Sequence, residues 1–585
     1  MSFSRASVLG SILPADISIA EFEYLLGLYS EQEFEFWQKQ QLSKEDLERI
    51  RDCGKVRLYK TPPTEKQIER VQDLCEQVWG KKTPAILDPF AGGGSIPFEA
   101  ARYGLEVFAS DLNPVAVVTM KAAMEYPLKF GPSLQADIDK WVKWVGDEAE
   151  KRLVEFFPSS PSPNAGGEVE TIQNYLWVHT VVCPSCGSVI PLSPNWWLSK
   201  TTNYAGKGQE RKVTSDWYAV KLIPDFAEKR VDFELIRGKK GKGTTIKTET
   251  GEYNPDNFTT IARSVGKCCN CGNVIEQDYL MQAGINNNLG HQLYAIAYKK
   301  GKGSLEFRLQ VSLDLQGFEK AEKVIRKYGQ SLNSNLMPDE LINTSFNTDQ
   351  LRRYGMDKWN KLFNSRQLLT LVTYLEIIND AKSKLQAEYE PEKVEAIFTY
   401  LALVMDRCVD VNCRLAHVNT MGPKIEGASG QHSLNLIWNY PEVNGAKRLW
   451  IWCAQKAIDD YTKLCDFFNQ NNFTLNNIYL PQENQHKFIN LKLESADILY
   501  HITDNSIDSI VTDPPYYGTI QYAEISDFFY VWQKRILGDI FPDLFWQELT
   551  DKDREAVANP SRFRNMGESP DELAKRDYEA KMSLG

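Results

Sequence analysis

The sequence predicts an α/β fold in which a parallel, doubly wound sheet is interrupted by a long insertion. Short apolar runs at Ala85–Asp88 and Glu106–Ser110 enclose a glycine turn and a helix, the strand–turn–helix–strand order that begins such a sheet. Two further runs, Ile489–Leu493 and Ile507–Val511, have strand character far downstream. Between them lie two cysteine pairs and long helical patterns, so two distant parts of the chain are predicted to build one sheet.

Length and composition indicate a large globular protein with several domains. The chain has 585 residues, of which 42% are hydrophobic and 25% charged, as is ordinary for a globular protein in water. No apolar run is long enough to cross a membrane, and the run Val8–Leu13 ends at Pro14, too early for a secretory signal. We therefore expect a cytoplasmic protein with no membrane partner. The net charge of −11 argues against a generally basic surface but permits a local basic face.

Helical spacing and linkers divide the chain into five predicted regions. Helical patterns cover Ala20–Gln38 and Ser43–Arg51, and a long helix over Leu134–Phe157 has Ser133 as its predicted N-cap. Residues 410–450 are predicted to be irregular. The five regions are a helical N-terminal region (1–80), the first part of the core (81–130), a basic, cysteine-containing insertion (170–310), a mainly helical insertion (311–485) and the second part of the core (486–585).

The turn Asp88-Pro89-Phe90-Ala91-Gly92-Gly93-Gly94-Ser95 predicts a nucleoside-binding site. Its glycines permit a sharp bend and close approach of a ligand, and the following helix presents free amides. Asp111 ends the next strand about 20 residues on, where an acid accepts hydrogen bonds from both ribose hydroxyls. The alternative is a tight turn without a ligand. The pattern resembles the S-adenosylmethionine site of amino-methyltransferases, with Asp88, Phe90, Gly92, Gly94 and Asp111 as cofactor-binding residues.

The tetrapeptide Asp513-Pro514-Pro515-Tyr516 has the groups needed to hold a planar amino group. The lone pair of an aromatic amine is delocalised, and a catalyst localises it by accepting hydrogen bonds from both N–H groups. Asp513 offers a carboxylate, Pro514 a carbonyl fixed by successive prolines, and Tyr516 a flat face for an extruded base. The alternative is a turn that only ends a strand.

Asp497, after the predicted strand Ile489–Leu493, is a candidate contact for the cofactor's adenine. In this architecture the third strand often ends near that ring. A helix cap or a solvated turn is the alternative for this residue.

Two C-x-x-C-G knuckles predict a structural zinc site. The two-residue spacing turns both thiolates of a knuckle toward one point, and the glycine permits the turn behind them. Eleven cysteines in a chain without a secretory signal also favour metal or thiols over disulfides. Four thiolates leave no open position for catalysis. The predicted ligands are Cys183, Cys186, Cys268 and Cys271, with Cys269 as a bystander.

Lysines, arginines and aromatic residues alternate between the knuckles, a composition that suits phosphate contact and base stacking. Solvated surface loops are the alternative. The aromatic residues are Trp196, Trp197, Tyr204, Trp217 and Tyr218, and the basic ones include Lys200, Lys207, Arg211, Lys212, Arg237, Lys239, Lys240, Lys242 and Lys247.

Together these motifs resemble the large prokaryotic adenine-specific DNA methylases that carry an internal zinc ribbon. The resemblance covers residues from roughly 84 to 580 and includes Asp88–Ser95, Ser110–Ala116, both knuckles, Leu362–Leu368 and Asp513–Trp532 with its segment Tyr522–Asp527. It implies a Rossmann-like methyltransferase sheet, S-adenosylmethionine and zinc as cofactors, and N6 methylation of adenine in DNA. Family members often lie among phage-defence genes, so a restriction-modification or phage-defence setting, with other subunits as partners, is implied as well.

Two departures from the family pattern lead to a further expectation. A segment rich in tryptophan and arginine that usually precedes the first strand is not found. Only four of seven expected strands can be placed, so we expect the sheet to be incomplete at the C-terminus. We expect a fragment, or half of a split enzyme, that is weakly active alone and associates with a chain supplying the missing strands.

The leading prediction is an S-adenosylmethionine-dependent DNA adenine N6-methyltransferase, and the resemblance implies a role in a phage-defence or restriction-modification system. Within enzymes, the alternative is an RNA or protein-amide methyltransferase, because the Pro-Pro-Tyr motif serves related planar amines. Outside enzymes, the alternative is a non-catalytic nucleic-acid-binding fragment or subunit that lacks the C-terminal strands.

Overall fold

A computed structural model describes eleven segments of the chain, and all structural statements concern these. The predicted helix Ser43–Arg51 and most of Ala20–Gln38 lie outside them. The described residues are 2–28, 61–158, 170–202, 213–241, 243–248, 251–330, 334–345, 347–430, 433–469, 488–567 and 569–585.

The helices of the described residues are numbered in chain order. A π-helical turn, Lys121–Glu125, joins the fifth to the sixth. They are α1 Ser2–Ile12, α2 Ile19–Leu25, α3 Glu65–Trp79, α4 Ser95–Arg102, α5 Pro114–Met120, α6 Tyr126–Phe130, α7 Ser133–Leu153, α8 Gln277–Ile285, α9 Ser312–Tyr328, α10 Asp349–Arg353, α11 Ser365–Asp380, α12 Lys382–Glu388, α13 Pro391–Val411, α14 Leu449–Asn469, α15 Tyr522–Leu537 and α16 Pro570–Leu584.

The strands are numbered in the same way. They are β1 Ala85–Asp88, β2 Glu106–Asp111, β3 Glu170–Val182, β4 Val189–Leu192, β5 Trp197–Ser199, β6 Trp217–Asp225, β7 Arg230–Gly238, β8 Ile246–Thr248, β9 Gly251–Tyr253, β10 Ile261–Ala262, β11 Val265–Lys267, β12 Val274–Ile275, β13 Gly290–Lys300, β14 Glu306–Arg308, β15 His417–Asn419, β16 Lys424–Glu426, β17 Asn439–Val443, β18 Ile489–Leu493 and β19 Ser509–Ile510.

The four strands predicted for the core form one parallel sheet, in the order β18–β2–β1–β19. Ile86 pairs with Ser509 on one side and with Val107 on the other, which joins the two distant parts of the chain. The edge strand β19 is short, and Ile510 on it is 64% exposed. Because parallel strands end at the same edge of a sheet, the segments that follow these four strands meet there.

The second large sheet is antiparallel and has the order β14–β13–β3–β17, with β4 also paired to β3. The sequence prediction of irregular structure over residues 410–450 is wrong at β17, which pairs with β3 from Asn439↔Val178 to Val443↔Asn174. This strand contains Pro441 and Glu442, two residue types that are depleted in strands, so its sequence gives no strand signal. The whole molecule is thus a mixed α/β structure with several sheets.

Glu442 is buried in β17 because Arg366 at the start of α11 neutralises it. The guanidinium donates to Glu442 at 2.6 and 3.0 Å, and both side chains are fully buried. Trp177 Nε1 adds a 2.6 Å hydrogen bond to the same carboxylate, and the Arg366 guanidinium lies 4.0 Å from the ring centroid of Tyr175. This pair fixes α11 onto the antiparallel sheet.

The helix α15 of the second core part packs against helices of the insertion. Phe528 and Trp532 of α15 contact Phe363, at ring-centroid distances of 6.3 and 5.4 Å. These residues belong to one hydrophobic core that also includes the buried faces of α7, α11 and α13. The insertion therefore supports α15, the helix that follows residues 513–521, which are called the Asp513 loop below.

The N-terminal helix α1 packs against α4, the helix that follows the glycine turn. Arg5 Nε donates to Glu99 at 2.7 Å, and Glu99 also accepts from Arg102 at 2.9 Å, with all three side chains buried. Arg5 also donates to the carbonyl of Leu26 at 2.9 Å. This buried ion cluster holds the N-terminal region against the helix that follows the glycine turn.

The start of α7 differs from the prediction. Ser133 is not the N-cap: it is the first residue of the helix, Pro132 is the cap, and the Ser133 hydroxyl donates to Phe130. The helix ends at Leu153, before the predicted end at Phe157, and a single 3-10 turn follows over Val154–Phe156. Separately, none of the helices in the described residues has both the length and the apolar character needed to cross a bilayer.

A candidate active site at the carboxyl edge of the parallel sheet

A cavity of about 830 Å³ lies where the segments following the four parallel strands meet. Such a volume is typical of small-molecule sites. The predicted site residues Gly94, Pro514 and Tyr516 are not among its lining residues. The predicted site residues that do line it are Asp88, Phe90, Gly92, Asp111, Asp497, Asp513 and Pro515.

The glycine turn needs its glycines for two different reasons. Gly92 and Gly94 have φ angles of +53° and +82°, which side-chain-bearing residues rarely adopt. A Cβ at Gly94 would also lie 2.8 Å from Met120 Cγ, so the turn packs closely on α5. The Gly92 amide donates to Asp111 Oδ2 at 2.8 Å, which ties the turn to the end of β2.

Carboxylates dominate the charge of this cavity. Burial raises the pKa of Asp111, although its carboxylate accepts from the amides of Gly92 and Asn113. Burial also raises the pKa of Asp88 to about 7, and the charges of Asp111 and Asp513 act in the same direction. Six acidic side chains line the cavity against two basic ones, so it favours a cationic ligand. The acids are Asp88, Asp111, Asp497, Asp513, Asp551 and Glu555, and the bases are Arg554 and Lys581.

The Asp513 loop is closed on itself. Tyr516 Oη donates to both carboxylate oxygens of Asp513, at 3.0 and 2.9 Å, and this hydrogen bond raises the pKa of Tyr516. The Tyr516 ring is 53% exposed, so its face is available for stacking. Tyr578 of α16 donates to the carbonyl of Pro515 at 3.2 Å and packs edge-on against Tyr517. The C-terminal helix thus holds the loop in place.

Asn113 and Ser526 join the two halves of the site. Asn113 Nδ2 donates to Ser526 Oγ at 2.6 Å, although 413 positions separate the two residues. Asn113 Oδ1 meanwhile caps α5 by accepting from the Val115 amide. A single side chain therefore connects the end of β2 to α15, the helix behind the Asp513 loop.

The segment 550–559 forms a wall of the cavity that sequence reasoning missed. Buried acids of α15 hold it: Asp527 accepts from Thr550, and Glu524 accepts from Asn559. The amide of Ala558 donates to the carbonyl of Tyr517 at 2.9 Å, so the segment also contacts the Asp513 loop.

Glu555 is the most buried carboxylate of this wall. Its oxygens accept from the Ala523 amide at 2.8 Å and from Arg562 at 2.9 Å. Burial, with the nearby charge of Glu524, raises the pKa of Glu555 to about 7. In the sequence, Asp551-Lys552-Asp553-Arg554-Glu555 has the composition of a solvated charged turn, so only the fold reveals its position.

The four predicted zinc ligands converge on one point in the antiparallel insertion. Their sulfur atoms all lie within 4.8 Å of one another, with Cys183–Cys271 at 3.8 Å and Cys186–Cys268 at 3.7 Å. Four thiolates about 2.3 Å from a tetrahedral zinc ion would lie about 3.8 Å apart, so the cluster has the dimensions of such a site. Cys269 lies outside the cluster. These four residues can hold a metal ion.

The two knuckles have the same backbone geometry. Gly187 and Gly272 have φ angles of +74° and +79°, and each amide donates to the first cysteine of its knuckle at 2.9 Å. The glycine after each cysteine pair is therefore required by the turn itself. The two knuckles therefore present their cysteine pairs in the same way.

The prediction that aromatic residues between the knuckles form a stacking surface is wrong for three of them. Trp196 and Trp217 are fully buried, and Trp197 is 6% exposed, because they form the cores on which β5 and β6 pack. Lys200 lies 4.2 Å from the Trp197 ring centroid and pairs with Asp256. Tyr204, Lys207, Arg211, Lys212 and Lys242 lie outside the described residues.

Comparison with known proteins identifies one family. Residues 68–152 match the model of the D12 class N6 adenine-specific DNA methyltransferase, and this segment contains the glycine turn and Asp111. For this segment, the match bears out the adenine-specific DNA methylase family that the sequence predicts. Neither the curated proteins nor the solved structures that were compared with the chain gave a match.

Proposed function

We propose that this chain, whose residues 68–152 match an adenine-specific DNA methyltransferase family, uses S-adenosylmethionine to methylate N6 of adenine in DNA. One observation carries the proposal: Asp111 and Asp513, from the two distant parts of the chain, line the same cavity. A methyl donor held at Asp111 and a base held at Asp513 would share that space.

The residues of the cavity fit the proposed cofactor. S-adenosylmethionine carries a sulfonium and an ammonium group, which suit a cavity rich in carboxylates. Asp111 uses one lone pair of each oxygen for backbone amides, so both oxygens retain capacity to accept ribose hydroxyls. Asp497 would contact the adenine ring, and the turn from Phe90 to Gly94 would surround the methionine part. When bound, the cofactor supplies an electrophilic methyl group.

Asp513 and Pro514 would hold the adenine amino group by accepting its two N–H bonds. Since this localises the nitrogen lone pair, the protein contributes mainly position and electrostatics. Tyr516 now donates to both oxygens of Asp513, so base entry requires that this hydroxyl move away. Its exposed ring would then stack on the extruded base.

The parallel sheet and the cysteine cluster can be interpreted in line with the proposed function. We interpret the order β18–β2–β1–β19 as part of a Rossmann-like methyltransferase sheet, because all four strands are parallel and the cavity lies at their carboxyl edge. We interpret the cysteine cluster as a structural zinc ribbon, because four thiolates complete a tetrahedron.

Transfer of tritium from labelled S-adenosylmethionine tests the proposal and its alternatives. We expect label in adenine of duplex DNA, whereas label in RNA or protein would favour those substrates. Asp513→Asn should lower the rate by at least about a hundredfold. Asp504→Asn, an exposed acid ahead of β19, is the matched control and should leave the rate unchanged.

Binding measurements separate an enzyme from a non-catalytic subunit. Asp513→Asn should still bind DNA and cofactor, whereas Asp111→Asn should lose cofactor affinity. DNA binding by the wild-type chain without any label transfer would instead support the non-catalytic alternative.

A further inference from the structure

A second cavity, of about 510 Å³, lies away from the proposed active site, between the end of α8, β13, α9 and the start of α11. Its described lining includes three basic side chains, Arg326, Lys361 and Arg414, and no acidic one. Asn287 and Asn360 add neutral polar groups, while Met356 and Phe363 are among the apolar ones. No feature of the proposed methyl transfer uses this cavity.

Arg414 is the unusual member of this cavity. Its Nη1 donates to the Lys361 carbonyl at 2.8 Å, and its Nη2 lies 3.5 Å from His179 Nδ1. Its Nε is buried without a hydrogen-bond partner in the described residues. Within that part of the chain no carboxylate forms an ion pair with Arg414, and burial lowers its pKa. Arg414 as a whole is half-buried and borders the cavity, where a positive charge without a counter-ion is unfavourable.

The neighbouring groups do not neutralise this charge. His179 and His291 are neutral, because burial and the charge of Arg414 lower the pKa of both rings. Tyr440 Oη lies 2.9 Å from His291 Nδ1 and contributes no charge. Lys361 is already paired with Asp357 at 2.7 Å, so its partner is not available to Arg414.

The hydroxyl of Tyr354 is a second buried polar group without a hydrogen-bond partner in the described residues. Tyr354 lines the cavity, is 4% exposed, and its hydroxyl has no hydrogen-bond partner among the described residues. Buried donors normally have partners, so an unpaired hydroxyl and an unpaired guanidinium N–H beside one cavity indicate a missing acceptor. Water would satisfy the donors but leave the charge uncompensated.

We propose that this cavity binds a small phosphate ester of nucleotide size, with Arg414 and Tyr354 as the groups that hold its phosphate. A phosphate supplies the negative charge that Arg414 lacks and acceptor oxygens for both unpaired donors. The volume exceeds that of inorganic phosphate alone, and the apolar walls at Met356 and Phe363 suit the remainder of an organic ligand. Arg414 is held in place beforehand by the carbonyl of Lys361.

Calorimetric titration of the full chain with uridine 5′-monophosphate tests this, with uridine as the neutral control. A pyrimidine probe is chosen because adenosine compounds would also enter the proposed cofactor cavity. We expect uridine 5′-monophosphate to bind and uridine not to bind. Asp111→Asn should bind it like the wild type, which separates the two cavities.

Arg414→Met should weaken binding of uridine 5′-monophosphate by about tenfold or more, since a charge-assisted hydrogen bond is lost. Arg353→Met is the matched control: this arginine lies on the adjacent α10, pairs with Asp349 and does not line the cavity. Without ligand, Arg414→Met should unfold at the same temperature as the wild type or a higher one. Tyr354→Phe keeps the ring and should weaken binding several-fold, which provides a second test if Arg414→Met does not fold.

Three outcomes would overturn the proposal. They are no binding at millimolar uridine 5′-monophosphate, equal binding by Arg414→Met and the wild type, and equal binding of uridine. None of them bears on methyl transfer.

Discussion

Asn113 Nδ2 donates a 2.6 Å hydrogen bond to Ser526 Oγ and so joins the part of the cavity at Asp111 to the part at Asp513. The glycine turn and Asp111 lie on one side of this bridge, and the Asp513 loop lies on the other. The proposed reaction needs both sides in a fixed relation, because small displacements of reacting groups cost large factors in rate.

Ser526→Ala removes this bridge and should lower methyl transfer about five- to tenfold, while cofactor affinity stays near that of the wild type. The reason is that Asn113 keeps its other bond, the cap of α5. Single-turnover rates and cofactor titration measure the two effects. Ser583→Ala, which removes a serine-to-carbonyl bond on α16, is the control. Equal rates for Ser526→Ala and the wild type would show that the bridge has no part in positioning.

Tyr516→Phe should keep at least a third of the wild-type rate, and Tyr516→Ala should lose about tenfold or more, because stacking contributes about 1–3 kcal/mol per base. Under the proposed function, the hydroxyl would only occupy Asp513 before substrate arrives, whereas the ring would stack on the base. Steady-state rates on DNA with a single target site measure the difference. A Tyr516→Phe variant as slow as Tyr516→Ala would mean that the hydroxyl itself takes part in the reaction.

The raised pKa of Asp88 leads us to expect that the free energy of unfolding depends on pH. Its pKa is about 7 in the folded chain against about 3.9 when unfolded, so the folded state binds more protons between these values. Stability contributed by this group therefore falls as pH rises from about 4 to about 7 and is constant above. Asp88→Asn should remove that slope and be more stable than the wild type at pH 8, by on the order of 2 kcal/mol. Chemical denaturation at pH 5 and pH 8 measures this, and an unchanged slope would contradict the assignment.

The same carboxylate predicts the pH dependence of cofactor binding. If a cationic cofactor requires ionised Asp88, affinity should rise about tenfold between pH 6 and pH 8. Titrations of the wild type and of Asp88→Asn with S-adenosylmethionine test this. The variant should bind weakly at both pH values with little difference between them.

The cysteine cluster predicts one zinc ion per chain. Cys268→Ser should lose the metal and lower the thermal unfolding temperature, because a structural metal site contributes directly to folding. Cys269→Ser, in the same knuckle but outside the cluster, should keep both. Metal content by atomic emission and thermal unfolding give the answer, and zinc retained by Cys268→Ser would remove that residue from the ligand set.

We expect substitutions of Arg366 and Glu442 to have non-additive effects on the free energy of unfolding, because the two side chains form a buried ion pair. Arg366→Met alone should destabilise the chain by about 3–5 kcal/mol, because it leaves Glu442 buried and unpaired. The double variant with Glu442→Leu should recover much of that loss. Additive losses in denaturant unfolding would show that the two side chains do not act as a pair.

The sequence by itself determined the local chemistry. Spacing and residue type are enough to predict a site at several short motifs, because each lies within a few adjacent residues. They are Asp88–Ser95, the acid at Asp111, the Asp513 tetrapeptide and the two knuckles. All four strands predicted for the parallel sheet pair with one another, because short apolar runs flanked by turn residues have few alternatives.

Only the tertiary structure decided which distant residues meet. Glu442 and Pro441 lie in a strand against their own propensities, because Arg366 neutralises the acid from another part of the chain. The tryptophans between the knuckles are core rather than surface, and the charged segment 551–555 lines a cavity because α15 binds it. Contacts between residues hundreds of positions apart depend on packing energies that no local sequence pattern contains. The places of these residues could therefore be found only from the tertiary structure.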